Sequence, residues 1–370
     1  MSDSERVRVG FIGLGGMARF HLGDLLGRTD TRVVAFCEPS LAAANAAADE
    51  FTRHGLDIPP CEPEWQRFVS TYANELDVVF IATPHNLHFV QAVACLEAGL
   101  DVLLEKPMVM TAAEAMALIE TRDRTGRLLV VAFQGSLSAQ VREASRILRS
   151  GELGTILNVN AMVWQNWASL TDGSWRQDPL ISGGGFLFDT GAHMLNTVAD
   201  LVGEPLTEVA AWLENDDRPV DARAVVMARL ASGALVTMNA CGSAIPSCHS
   251  DIRVFASDGI LRTGVWGEAL ELQRAGANRL RKVSGLAAVS VWQQFLNVRE
   301  GRLPNPSPPE AGLRMARLWD AIRESALRHG SVVGTPTTPD RVTTQRSITE
   351  SPAPVGSLEL QALGAEVIGG

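Results

Sequence analysis

The sequence predicts an α/β protein: a doubly wound domain with a parallel sheet, followed by an α+β domain on a mostly antiparallel sheet. Three observations carry this expectation. Near-continuous apolar runs alternate with helical patterns through the first 135 residues, as in a parallel sheet covered on both faces. Beyond residue 150 strand patterns follow one another with little helix between them, as in an antiparallel sheet with helices to one side. A chain of 370 residues is too long for one ordinary core and suits two domains.

The elements can be placed in order. "VRVGFIG" (7–13) is a β-branched, apolar strand that stops at glycine, followed by a helix from Met17 to Leu26. "TRVVAFCE" (31–38) is the second strand, and the alanine-rich stretch Leu41 to Phe51 the second helix. A weaker strand is expected between Asp57 and Phe68, where "IPPCEPEW" blurs the pattern. "LDVVFIATP" (76–84), "LDVLLEKP" (100–107) and "RLLVVAFQG" (127–135) are further strands, with helices over 86–98 and 111–125 between them. A helix over 138–150 ends at "SGELG". Strands are then expected at 155–164, 206–214, 222–231, 234–241 and 251–257, with weaker ones at 259–264 and 268–273. A helix from Asp189 to Leu201 interrupts this run, and another over 309–328 follows the turn "LPNPSPP". The expected domains are 1–135, 136–330, and a Ser/Thr/Pro-rich tail over 331–370. Within that tail "SLELQALGAEVI" has enough apolar character to dock.

Composition narrows the function classes. Hydrophobic residues make up 46% and charged residues 20%, the balance of a globular protein. A net charge of -10 disfavours nucleic acid or an anionic membrane as the main partner. Five scattered cysteines without a C-x-x-C pair point to reduced thiols and a cytoplasmic setting. Neither a signal-peptide pattern nor a bilayer-length apolar run is visible.

"GLGGMA" (13–18) follows the first strand and opens a helix. It fits the G-x-G-x-x-A turn, whose glycines bring backbone N–H groups close to a pyrophosphate at a helix N-terminus. Gly13, Gly15, Gly16, Met17 and Ala18 are therefore expected at a dinucleotide. Glu38 ends the next strand, where a carboxylate accepts from the ribose hydroxyls. It would repel a 2′-phosphate, and "CEPS" supplies no arginine beside it, so NAD is expected over NADP. "ATPHNLH" (82–88) and "EKP" (105–107) follow later strands and should line the same cleft, adding Thr83, Pro84, His85, His88, Glu105 and Lys106. The histidine spacings match no standard metal motif.

"GGGFLFDTGAHMLN" (183–196) sets Asp189 and His193 four residues apart after three glycines. At helical spacing both groups can face one cavity, with Asp189 orienting His193 or gripping a substrate. Removing hydride from a secondary alcohol also requires an acceptor for the hydroxyl proton, and histidine, with an unperturbed pKa of about 6.5, suits that step. Lys106 can polarise the same oxygen. Trp164, Asn166, Trp167, Trp175 and Arg176 lie just before the glycines. Indoles stack on sugar faces and arginine bonds hydroxyls or carboxylates; ordinary packing at a domain edge is the competing role. Trp164, Trp175 and Arg176 are the substrate-binding candidates, beside Lys106, Asp189 and His193.

A Rossmann glycine loop, then "EKP", then "GGG…D-x-G-x-H" in an α+β domain resembles the Gfo/Idh/MocA oxidoreductase family over about residues 6–330. "VWQQFLNVREGRLPNPSPPEAGLRMARLWDAI" is part of that resemblance. It implies Lys106, Asp189 and His193 as the catalytic set, NAD(P) as cofactor, and a sugar, cyclitol or related polyol as substrate. It also implies a homodimer or homotetramer built through the open sheet. Two alternatives stay open: a glycosidase-like enzyme that oxidises its sugar transiently with bound NAD, and a nucleotide-binding regulatory protein without turnover.

Overall fold

The computed structural model describes residues 6–336. The first domain is a six-stranded, wholly parallel sheet in the order β3-β2-β1-β4-β5-β6. Its strands are β1 (Val7–Ile12), β2 (Thr31–Cys37), β3 (Cys61–Glu62), β4 (Val78–Ile81), β5 (Asp101–Leu104) and β6 (Leu129–Val131). The helices are α1 (Gly16–Leu26), α2 (Leu41–Arg53), α3 (Trp65–Tyr72), α4 (His85–Glu97) and α5 (Ala112–Thr125). Strand order reverses between β1 and β4, and ligands of open α/β sheets bind in the crevice at that point, beyond the strands' carboxyl ends.

Local chemistry sets the helix limits. Ser40 caps α2 through the Ala43 N–H. Thr111 and Glu114 form a reciprocal capping box on α5, which ends at Gly126 in the left-handed conformation. β4 is fully buried, which is why its run "VVFI" carries no polar alternation.

The second domain opens with α6 (Gln134–Leu137) and α7 (Ala139–Arg149), then β7 (Ile156–Gln165). Short helices α8 (Trp167–Leu170) and α9 (Pro179–Ser182) lead to α10 (Gly191–Val202). The remaining strands are β8 (Leu206–Glu214), β9 (Arg223–Leu230), β10 (Leu235–Cys241), β11 (Cys248–Ala256), β12 (Gly259–Thr263), β13 (Leu270–Arg274) and β14 (Arg281–Lys282). Helices α11 (Val291–Arg299) and α12 (Pro309–Leu327) and strand β15 (Val333–Gly334) complete it. The nine-stranded sheet runs β14-β13-β12-β11-β7-β10-β9-β8-β15. Among the described residues β7 and β10 are the one parallel pair of this sheet. On β9 burial alternates strictly, so one sheet face packs on helices and the other is open.

Several expectations need correction. The weak strand between Asp57 and Phe68 is only Cys61–Glu62, and α3 follows at once. Its single fully buried anchor, Phe68, is too little periodicity to announce a helix. α11 had no expected element, yet it returns to the first domain: the Trp292 indole N–H donates to Thr31 Oγ1 at 2.9 Å. The helix expected from Asp189 begins at Gly191, leaving Asp189 in the preceding turn. Val333–Gly334, placed in the tail, pairs with Val209 and Glu208. The rest of the tail from residue 337, including "SLELQALGAEVI", lies outside the described residues. Among the described residues no helix is long and apolar enough to cross a membrane.

Candidate functional site

The glycine loop turns at the end of β1. Gly13 has φ +89°, and a Cβ there would stand 2.6 Å from the Ala82 carbonyl oxygen. Gly15 and Gly16 differ: a Cβ on either meets nothing within 4 Å. They border open space, a cavity of about 470 Å3 that Met17, Glu38, Thr83, Pro84 and His85 also line. Glu38 accepts from the Leu14 N–H at 2.7 Å and from the Ser40 N–H at 2.9 Å, which ties the glycine loop to the end of β2.

A second cavity of about 350 Å3 is lined by Gln134, Gln165, Trp167, Thr190, His193 and Trp266, among others. Met17, Glu105, Lys106, Arg176 and Asp189 line both cavities. The two therefore meet at one group of charges, to which the first domain gives Lys106 and the second gives Arg176 and Asp189.

Asp189 is the hub of that group. Its Oδ1 accepts from Lys106 Nζ at 2.9 Å, and its Oδ2 accepts from the Trp167 indole at 2.8 Å and from Arg176 Nε at 3.1 Å. Lys106 Nζ also donates to the Asp189 carbonyl at 3.1 Å. Burial pushes the Asp189 carboxyl up, but Lys106, Arg176 and His85 outweigh it and hold it well below the usual carboxylate range. Glu105 accepts from the Lys106 backbone N–H and lies 2.9 Å from His21 Nε2. Burial pushes its carboxyl up, yet the His21 bond and neighbouring positive charge bring it below its ordinary value.

His193 lies in the wall of the second cavity, with Phe133 and Trp266 edge-on to its ring. Burial, helped by the Lys106 charge, pushes its pKa down to about 3. Its Nδ1 is buried without a hydrogen-bond partner. Asp189 was expected to orient His193 or grip a substrate; among the described residues no hydrogen bond joins it to His193, and its oxygens accept from Lys106, Trp167 and Arg176.

Three other expected residues sit elsewhere. His88 is fully buried, with Nδ1 2.8 Å from the Pro107 carbonyl and Nε2 3.0 Å from that of Thr83, so no ring nitrogen is left for a ligand. Ala18 packs in the core behind the glycine loop and lines neither cavity. Trp164 follows the buried Val163, so strand alternation turns it to the opposite face; there its ring lies 5.7 Å from that of His249. The nearby indoles at the cavities are Trp167 and Trp175. His85 does line the first cavity, 4.0 Å from Asp189 Oδ1, but its Nδ1 is bonded to the Ser182 carbonyl at 2.7 Å. Arg176 stacks over the Trp175 ring at 4.4 Å.

Sequence reasoning missed His21, Gln134, Gln165, Thr190 and Trp266. Gln165 and Thr190 bond each other at 3.0 Å across the cavity wall. Their only signal was adjacency, at a strand end and beside Asp189. Among the described residues no three His, Cys, Asp or Glu side chains gather to hold a metal.

The fold is that of a two-domain, dinucleotide-binding protein. A family model described as an oxidoreductase family with an NAD-binding Rossmann fold matches residues 7–133, and a GFO/IDH/MocA C-terminal domain model matches residues 141–262. The chain belongs to the Gfo/Idh/MocA oxidoreductase family, and its first domain is the family's NAD-binding domain. It is 28% identical over 204 residues to D-glucoside 3-dehydrogenase of Escherichia coli (strain K12), covering 55% of this chain and 56% of that protein. It is 29% identical over 244 residues to inositol 2-dehydrogenase 4 of Saccharopolyspora erythraea, covering 64% and 67%. With levoglucosan dehydrogenase of Pseudarthrobacter phenanthrenivorans it shares 30% over 175 residues, 47% of this chain and 43% of that one. The chain thus spans about half the length of several curated relatives that it matches. A solved levoglucosan dehydrogenase in complex with NADH and levoglucosan superposes with a TM-score of 0.76 at 24% identity, over 90% of this chain and all of that one. This last likeness speaks to the fold.

Proposed function

We propose that the protein is an NAD-dependent dehydrogenase that moves hydride between the nicotinamide and a secondary hydroxyl or carbonyl of a neutral sugar, cyclitol or related polyol. One observation carries this: the Lys106–Asp189 ion pair sits where the glycine-loop cavity opens into a second cavity walled by His193, amides, hydroxyls and indoles. The residues fit a dinucleotide. Gly15 and Gly16 leave room at the α1 N-terminus for a pyrophosphate, Glu38 stands where ribose hydroxyls are accepted, and Pro39, Ala43 and Trp65 give the cavity an apolar end. The chemistry that such a group supplies is reversible uptake of hydride.

Within this scheme Lys106 donates to the reacting oxygen and favours its alkoxide character. Asp189 fixes Lys106 and, through Arg176 and Trp167, the wall beside it. His193 accepts the hydroxyl proton during oxidation and returns it during reduction. Burial keeps its imidazole neutral at ordinary pH, with a lone pair free to accept, while the Glu105 and Asp189 charges favour the protonated form that follows. The charges at the junction balance: Lys106 and Arg176 face Asp189 and Glu105, which suits an uncharged substrate. Gln134, Gln165 and Thr190 offer polar groups for further hydroxyls, and Trp266 an apolar face for ring carbons.

A homo-oligomer and a cytoplasmic setting complete the proposal. Met162, Asn239, Val225 and Trp212 form one cross-strand row on the open sheet face, and the three apolar members are each more than two-fifths exposed. A self-complementary patch of this kind suits a symmetric interface. The unpaired cysteines suit a reducing compartment. Incubation with a panel of neutral sugars, cyclitols and sugar acids, with NAD or NADP, tests the activity at the nicotinamide absorbance band. Neutral polyols with NAD should give net reduction. Sugar release without net reduction would instead favour transient oxidation, and binding without either would favour a regulatory protein.

A further inference from the structure

A third cavity, of about 550 Å3, lies against α7 and shares no lining residue with the other two. From α7 and the turn after it come Arg142, Ser145, Arg146, Arg149 and Ser150; Ser136 and Asp200 close the other side. Their charges are unequally matched. Arg146 is spent on Glu143 and Glu152. The Asp200 carboxylate is taken by Ser136, Asn196 and Arg314. Arg142 donates only to the Leu137 carbonyl, at 2.7 Å, and Arg149 only to the Asp200 carbonyl, at 3.0 Å. Among the described residues neither guanidinium has a carboxylate within 4.0 Å, the limit for an ion pair. Arg314, beside Asp200, keeps a buried Nε without a partner.

Two arginines without counter-ions thus lie on one cavity wall, and Arg149 of the two is exposed to solvent. Arg142 is half-buried, and burial without a partnering carboxylate pushes its pKa below the usual arginine value. A partly desolvated cation of this kind is stabilised once an anion joins it. The planar guanidinium fork matches tetrahedral oxyanions in bidentate fashion; the three serines of the wall already donate within the protein, so the arginines are the donors left for a ligand.

We propose that this cavity is a binding site for a phosphate-class oxyanion, held by Arg142 and Arg149 and separate from the site of hydride transfer. The same chemistry is offered by free phosphate and by the phosphoryl group of a larger metabolite. The test is calorimetric titration of the NADH-saturated protein, so that the glycine loop is occupied, with inorganic phosphate and with glycerol 3-phosphate. A single saturable phase is expected, weakened roughly tenfold by Arg142→Gln and by Arg149→Gln. Arg142→Lys should fall between wild type and Arg142→Gln. Saturation by phosphate alone identifies the free ion, and saturation by both identifies a phosphoryl group; either supports the site. Unliganded thermal unfolding of each variant checks that the fold is kept. Absence of saturable heat with both probes overturns the proposal, as does unchanged affinity in the folded double variant.

Discussion

Replacing Asp189 by asparagine keeps the side chain's size and removes the charge on which the junction is organised. The Asp189 and Lys106 side chains are only 6% and 11% exposed, so water cannot replace the lost partner. Removing one member of a buried pair typically costs about 3–5 kcal/mol. The asparagine Oδ1 can still accept from Lys106 Nζ, and Arg176, with a third of its side chain exposed, can hydrate. The asparagine Nδ2, however, then sets a donor against the buried Trp167 indole N–H. The expected loss is therefore ~4 kcal/mol, read as a fall in the denaturant midpoint with an unchanged slope. Lys106→Met alone strands the Asp189 carboxylate but leaves Trp167 and Arg176 on it. The double variant Lys106→Met/Asp189→Asn should be more stable than the sum of the single losses by about 1 kcal/mol or more. Simple additivity within a few tenths of a kcal/mol would refute the claim that this pair is a coupled, desolvated unit.

Other consequences can be tested separately. His85 and His193 both have folded pKa values of about 3, whereas an unfolded histidine titrates near 6.5. Between those values the unfolded chain binds protons that the native state refuses, so stability should fall as pH drops, by up to roughly 1.4 kcal/mol per pH unit for each group; His193→Asn should reduce that slope in acid unfolding curves, and an unchanged slope would mean that His193 is not buried neutral. Gly13→Ala, with φ +89° and a backbone oxygen at 2.6 Å, should lower the melting temperature, whereas Gly15→Val should leave melting intact and abolish NADH binding measured by fluorescence. Glu38→Ser should weaken NAD and narrow its advantage over NADP in kcat/KM; a wild-type preference for NADP would contradict the role assigned to Glu38.

The doubly wound domain was legible because its strands are buried on both faces, as with the runs around Val78–Ile81 and Val102–Leu104. The glycine loop was legible because Gly13 needs a positive φ, while glycines at 15 and 16, where the fold itself would admit a side chain, keep space beside the helix N-terminus. Much less of the site's wiring was legible. "DTGAH" suggested an Asp189–His193 pair, but helix spacing fixes only distance along one element. The partners of Asp189 come from residues 106, 167 and 176, on three other segments. His88 and His85 look alike in sequence three residues apart, yet one faces backbone carbonyls and the other the cavity. Trp164 and Trp167 differ by where β7 ends. α11 escaped notice because its tertiary anchor, Trp292 on Thr31, lies 261 residues away along the chain.

Isotope transfer tests the hydride chemistry most directly. The neutral polyol selected by the substrate panel, deuterated at the reacting carbinol carbon, is incubated with NAD and wild-type or His193→Ala protein. The wild type should deliver the deuterium to the reduced nicotinamide. The variant should bind NAD as before but transfer roughly 100- to 10,000-fold more slowly. Reduced nicotinamide without the label, or near-normal transfer by a folded His193→Ala variant, would contradict direct hydride transfer with His193 as the proton acceptor.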